Sequence, residues 1–152
     1  MVTRAWFDFS LLLSHKNFNI MNTEMPVKRI KTSNIVFVRP DDTMLKVEEI
    51  FDNMAIHHIL VTEGDTLKGV ISKNDLLTIY KNAVNQGVLP DRSQILAQDM
   101  MTENPITLDT EDTIGLAADI FLANKIHSVP VLNGDQLAGI ITNHDILKYC
   151  FK

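Results

Sequence analysis

Leu67-Lys-Gly-Val-Ile-Ser-Lys-Asn-Asp-Leu-Leu77 is written a second time as Leu137-Ala-Gly-Ile-Ile-Thr-Asn-His-Asp-Ile-Leu147. Working outward from this pair, residues 34–80 align without a gap onto 104–150. Thr43 falls on Thr113, Gly69 on Gly139 and Asp75 on Asp145. A period this long marks two copies of a small domain rather than a solenoid of short repeats. Two related units with apolar faces are expected to pack together, so any cleft between them occurs twice.

Each copy reads in the same order. A short apolar run, Ile35 to Val38 or Ile106 to Leu108, precedes an acidic-Thr helix start at Asp41-Asp42-Thr43 or Glu111-Asp112-Thr113. Met44, Val47, Ile50, Phe51 and Met54 then recur at helical spacing, as do Ile114, Ala117, Ile120 and Phe121. Two β-branched runs follow, 59–62 with 67–72 and 129–132 with 137–142, separated by Glu63-Gly64-Asp65 and Asn133-Gly134-Asp135. A glycine turn between apolar runs predicts a hairpin. A second helix closes each copy, carried by Leu76, Leu77 and Tyr80 and by Ile146, Leu147 and Cys150.

The expected class is α+β: two tandem β-α-β-β-α units packed with pseudo-twofold symmetry. Residues 1–24 have no counterpart and read as an N-terminal extension with helix as its expected conformation, and Met21 and Met25 leave the true start open. Unit 1 is expected over 25–84, a linker over 85–95 where Gln86-Gly87 and Pro90-Asp91 break the helix, and unit 2 over 96–152.

At 152 residues and 45% hydrophobic content, the chain holds enough apolar surface for two small cores that share an interface. A net charge of −5 without a basic stripe argues against a nucleic-acid partner. One cysteine, Cys150, excludes an intramolecular disulfide and fits a reducing cytoplasm. The early apolar run Phe9 to Leu13 is too short for a membrane span or signal peptide.

The repeated segment ends in a hydroxyl residue three before a carboxylate: Ser72 with Asp75, Thr142 with Asp145. At a strand-to-helix junction this pair forms a capping box, the hydroxyl accepting from a backbone amide and the acid complementing the helix end. The same carboxylate is also suited to accept hydrogen bonds from a vicinal ribose diol, with the hydroxyl and free helix amides facing a phosphate. The two readings are compatible. A second matched pair, Ile56-His57 and Ile126-His127, precedes the middle strand, and the first copy adds His58. An imidazole near a phosphate supplies local positive charge that the acidic chain otherwise lacks.

A zinc site from His57, His58, His127 and His144 has donors but no helical ligand spacing, and Asn74 stands where a partner of His144 would be. A Ser72-His57-Asp75 triad lacks the glycine elbow around its nucleophile. No Walker or dinucleotide glycine fingerprint occurs. No catalytic or metal residues are therefore assigned.

The stretches Asp99-Met-Met-Thr-Glu-Asn-Pro-Ile-Thr-Leu108, Asn124-Lys-Ile-His-Ser-Val-Pro-Val-Leu132 and Leu137 to Leu147 closely resemble the cystathionine-β-synthase (CBS) domain family. The first copy joins through Arg39-Pro-Asp-Asp-Thr43, Ile56-His-His-Ile-Leu-Val61 and Gly69 to Leu77. The resemblance covers about residues 25–152. It implies a Bateman module whose two clefts bind adenosine-containing ligands with groups from both repeats. One cleft would use Val36, Ile56 and His57 with Ile140, Thr142 and Asp145; its mate would use Ile106, Ile126 and His127 with Val70, Ser72 and Asp75. In the regulatory subunit of AMP-activated protein kinase, which the chain resembles around Lys125-Ile126-His127, the matching histidines approach phosphates and are often followed by arginine. Here His58 and Ser128 follow, which weakens the case for a triphosphate.

The resemblance further implies a non-enzymatic regulatory module, with no obligatory cofactor, that senses AMP, ADP, ATP or S-adenosylmethionine. Occupancy would be transmitted through the arrangement of a homodimer or through a regulated protein partner. The competing reading is a dimerisation or docking module whose clefts are vestigial.

Overall fold

The computed structural model describes residues 21–151. The helix expected within the N-terminal extension lies outside the described residues, apart from 21–24.

Each copy builds the expected strand-helix-strand-strand-helix order. In the first, β1 (Phe37–Val38) leads to α1 (Met44–Asn53), the hairpin β2 (His58–Glu63) and β3 (Thr66–Ser72), and α2 (Lys73–Asn85). A short helix, α3 (Ala97–Met100), and β4 (Thr102–Glu103) open the second copy. It continues through β5 (Leu108–Asp109), α4 (Ile114–Asn124), β6 (Ser128–Asn133), β7 (Gln136–Thr142) and α5 (Asn143–Cys150). The chain forms two small sheets, β1-β2-β3-β4 and β5-β6-β7, in which the first strand runs parallel to the second and the hairpin is antiparallel. Both hairpins close with a two-residue turn whose glycine, Gly64 or Gly134, sits at φ 60 or 61. Only glycine adopts that left-handed conformation without strain.

Strand alternation sorts the side chains into two layers. Ile59, Val61 and Ile71 face α1 and α2 and meet Met44, Val47, Phe51 and Leu76 in one core. Val129, Val131 and Ile141 meet Ile114, Ala117 and Ile146 in the other. The residues between them, Leu60 and Val70 or Pro130 and Ile140, point the opposite way. Leu60 is 1% exposed yet belongs to neither helix-side core, because the second faces of the sheets meet at β3 and β7. The pseudo-twofold pair is therefore joined through its sheets.

The leading arm of each copy packs on the other copy. Val27, fully buried, lies in the second core, while Ala97 and Met100 lie in the first. Backbone bonds repeat this exchange. Ile114 N donates to Met25 O (2.9 Å) as Met44 N donates to Ile95 O (2.8 Å), and Val27 N donates to Asp112 O (2.8 Å) as Ala97 N donates to Asp42 O (2.7 Å). The first amides of a helix have no partner within it, and here the visiting arm supplies carbonyls to α1 and α4. Further along, Thr32 exchanges both backbone bonds with Ile140 (2.8 and 3.0 Å), and Thr102 pairs with Val70. Gly139 and Gly69 permit this approach: a Cβ on Gly139 would lie 2.5 Å from Thr32 O, and one on Gly69 would lie 2.7 Å from Thr102 O.

Candidate functional site

The hydroxyl-acid pairs sit where β3 and β7 turn into α2 and α5. Ser72 N and Ser72 Oγ both donate to Asp75 Oδ2 at 2.7 Å, and Asp75 N donates back to Ser72 Oγ at 3.3 Å. Thr142 and Asp145 repeat the box at 2.8, 2.7 and 3.2 Å. The capping reading is thus realised in both copies. It occupies one oxygen of each acid. Asp145 Oδ1 accepts a long 3.4 Å bond from Thr32 Oγ1, a residue of the visiting arm; among the described residues no donor reaches Asp75 Oδ1. Both acids are half-buried, at the seam rather than turned into bulk solvent.

The other expected residues lie along the arms, on the sheet faces and in the loops before the hairpins. Val36 lies four residues beyond Thr32 and Ile106 four beyond Thr102, and Val36 O accepts from Leu60 N at 3.1 Å. Val70 and Ile140 are half-buried on the inter-repeat faces, opposite the arms. Ile56 and Ile126 pack on the rims of their own cores instead. His57 O and His127 O accept from Lys73 N and Asn143 N, each at 3.1 Å, which ties the histidine loops to the helix starts carrying the acids. The His57 and His127 side chains are exposed.

Sequence reasoning missed Thr32 and Thr102. Their register was the available signal, since they stand in matched positions just outside the aligned segment. It also left His58 without a role. That side chain is half-buried, and its cross-strand neighbour is Ser72. Burial, then the nearby imidazoles of His57 and His127, hold its pKa below the usual 6.5, with Asp75 pulling the other way. His58 of one copy thus lies within electrostatic reach of His127 of the other.

Two surface grooves of about 450 and 400 Å³ lie elsewhere, one at the start of α4 around Thr23 and Asp119, the other between α1 and α2 around Phe51 and Leu77. None of the expected site residues lines either groove. Among the described residues no group of three or more His, Cys, Asp or Glu side chains could hold a metal ion, and no helix is long and apolar enough to cross a membrane.

Two small sheets joined back to back through exchanged arms define a tandem-repeat pair. The family model of the CBS domain matches residues 27–82 and again 97–152, and the chain belongs to the CBS domain family. It is 26% identical over 144 residues to inosine-5'-monophosphate dehydrogenase of Halobacterium salinarum, covering 88% of this chain and 27% of that protein. The chain spans less than half the length of the curated relatives it matches. Among solved structures it is similar to the CBS domain of a membrane protein from Sphaerobacter thermophilus, 28% identical with a TM-score of 0.67 over 84% of this chain and 88% of that one. It also shares the fold of CBSX2, solved in complex with AMP, at 23% identity and a TM-score of 0.71 over 82% of this chain and 94% of that one.

Proposed function

We propose that this chain is a regulatory module that binds an adenosine-containing nucleotide, AMP, ADP, ATP or S-adenosylmethionine, in two inter-repeat clefts and performs no catalysis itself. One cleft is formed by Val36, Ile56 and His57 with Ile140, Thr142 and Asp145; the other by Ile106, Ile126 and His127 with Val70, Ser72 and Asp75. The observation that carries the reading is the exchange of arms, since Thr32 of one repeat touches the acid of the other. A ribose diol entering there replaces the long Thr32 contact with two shorter bonds to Asp145 Oδ1. AMP in the CBSX2 structure supports the ligand class.

Occupancy acts through a cytoplasmic homodimer or a regulated protein partner, because a ligand shifts only an equilibrium between arrangements it binds unequally. Exposed Leu77, Val84, Leu147 and Phe151 on or next to α2 and α5 supply apolar surface for such contacts. The same surface favours the second reading, a docking module without a ligand.

A thermal-shift panel of AMP, ADP, ATP and S-adenosylmethionine separates the two. A ligand at a hundredfold its Kd adds about 2.7 kcal/mol of stability, a shift of a few degrees. The double variant Asp75→Ala/Asp145→Ala is expected to lose that shift. A panel with no shift in the wild-type chain, together with tight self-association by light scattering, would instead establish the docking module.

A further inference from the structure

The chain leading into each arm meets the outer helices of one copy, and the two copies receive it differently. Ahead of the second arm the linker folds back on α2, where Val88 N donates to Ala83 O at 3.0 Å. Arg92 Nη1 then donates to Glu48 Oε2 at 3.0 Å, while the Tyr80 hydroxyl donates to the other oxygen of that carboxylate. The linker is thus tied to the groove between α1 and α2.

An offset of 70 puts Asn22, Ala118 and Cys150 in the places of Arg92, Glu48 and Tyr80. Asp52 and Lys73, which line the same groove, become Leu122 and Asn143. The outer face of the second copy has therefore exchanged four charged residues for apolar or neutral ones. Leu122 is 82% exposed on it, Leu147 53% and Phe151 86%. Where the first copy has its carboxylate tie, the second has a contact between sulfurs, Cys150 Sγ donating to Met21 Sδ at 3.0 Å.

We propose that residues 1–20 close this face from within the chain, with Trp6, Phe7, Phe9 and Leu11 to Leu13 lying over Leu122, Leu147 and Phe151. Met21 fixes where the segment enters, because it packs on the second core and touches the last residue of α5, next to Phe151. Twenty extended residues reach about 65 Å, whereas the eight residues of α5 span about 12 Å. The segment is long enough to cross both α5 and α4. Its run from Phe9 to Leu13 carries no charge and suits a face that has lost its charges. Tethered at Met21, it acts at an effective concentration on the order of 1 mM, which favours it over a second copy of the chain in dilute solution. The cover is independent of cleft occupancy, and it leaves Leu77 and Val84 of the first copy as outer apolar surface open to a partner.

The single tryptophan, Trp6, reports on the segment alone. Its emission in the full chain is expected to be blue-shifted from that of N-acetyltryptophanamide and to resist quenching by acrylamide. Leu122→Glu/Leu147→Glu, at two exposed positions, is expected to move the emission to the solvent value and raise quenching severalfold, with the circular dichroism melt kept near wild type. Leu77→Glu, at the position in the first copy that matches Leu147, is expected to change neither. Solvent-like emission in the wild-type chain overturns the proposal, as does a blue shift that survives the double glutamate variant, which would place the segment elsewhere. A blue shift that disappears on dilution, in step with a fall in mass by light scattering, assigns the face to a second copy and overturns it as well. None of these outcomes bears on nucleotide binding, which the thermal-shift panel reads separately.

Discussion

At the seam the first copy presents His58 and Lys73 where the second presents Ser128 and Asn143, yet the backbone bonds around them repeat one for one. Lys73 N to His57 O and Asn143 N to His127 O have the same length, 3.1 Å. The capping boxes match to within 0.1 Å. The frame is held by backbone atoms and by a hydroxyl-acid pair that either Ser or Thr satisfies, so side chains facing the cleft vary without disturbing it. Two equivalent scaffolds can therefore carry unequal electrostatics.

The largest expected effect tests the equivalence of the scaffolds. Ile71→Ala and Ile141→Ala each remove a fully buried side chain at the matched position and should each cost about 2–5 kcal/mol. Each core contains the other copy's arm, so urea unfolding of either variant is expected to follow one transition. Two separate transitions would show that the copies unfold independently and that the exchanged arms do not couple them.

A smaller effect sharpens the comparison at the arms. Gly139→Ala forces a Cβ against the Thr32 carbonyl, part of the backbone, and should cost about 1–3 kcal/mol. Gly69→Ala meets the Thr102 carbonyl, also backbone, at 2.7 Å as well as the Met101 side chain, so its cost should fall in the same range. A Gly139→Ala protein as stable as wild type by thermal melting would mean that the first arm is not seated on β7.

The smallest effect separates the two seams by pH. His58 has a lowered pKa in the folded chain and about 6.5 when unfolded, so below that value the unfolded state binds more protons. Stability of the unliganded protein is expected to decline as pH falls from about 6.5 toward the folded value, and His58→Ser should flatten that limb. A decline of unchanged steepness in the variant would assign it to other groups.

Much of the frame was legible because apolar spacing reports directly on which face of a strand or helix is buried. The Asn133-Gly134 turn, the helical stripe from Met44 to Phe51 and the hydroxyl-acid pairs all stand where their residue types require. The first strands were overestimated. The run Ile35 to Val38 pairs only at Phe37–Val38, and Ile106 to Leu108 becomes Leu108–Asp109, because each strand lies at a sheet edge and meets its parallel neighbour over two residues. The arms were not legible. Val27-Lys-Arg-Ile30 and Ala97-Gln-Asp-Met100 share no residue, since what they supply at the helix starts is main-chain carbonyls and a small buried contact.

The amino-acid sequence alone determined the duplication, the order of elements in each copy and the chemical types at the strand-to-helix junctions, because side-chain periodicity and turn chemistry are local. Only the tertiary structure decided that each arm crosses to the other copy and that His58 meets the neighbourhood of His127. Backbone groups satisfying the free ends of a distant helix leave no residue code, and electrostatic neighbours are chosen by which faces of the two sheets come together.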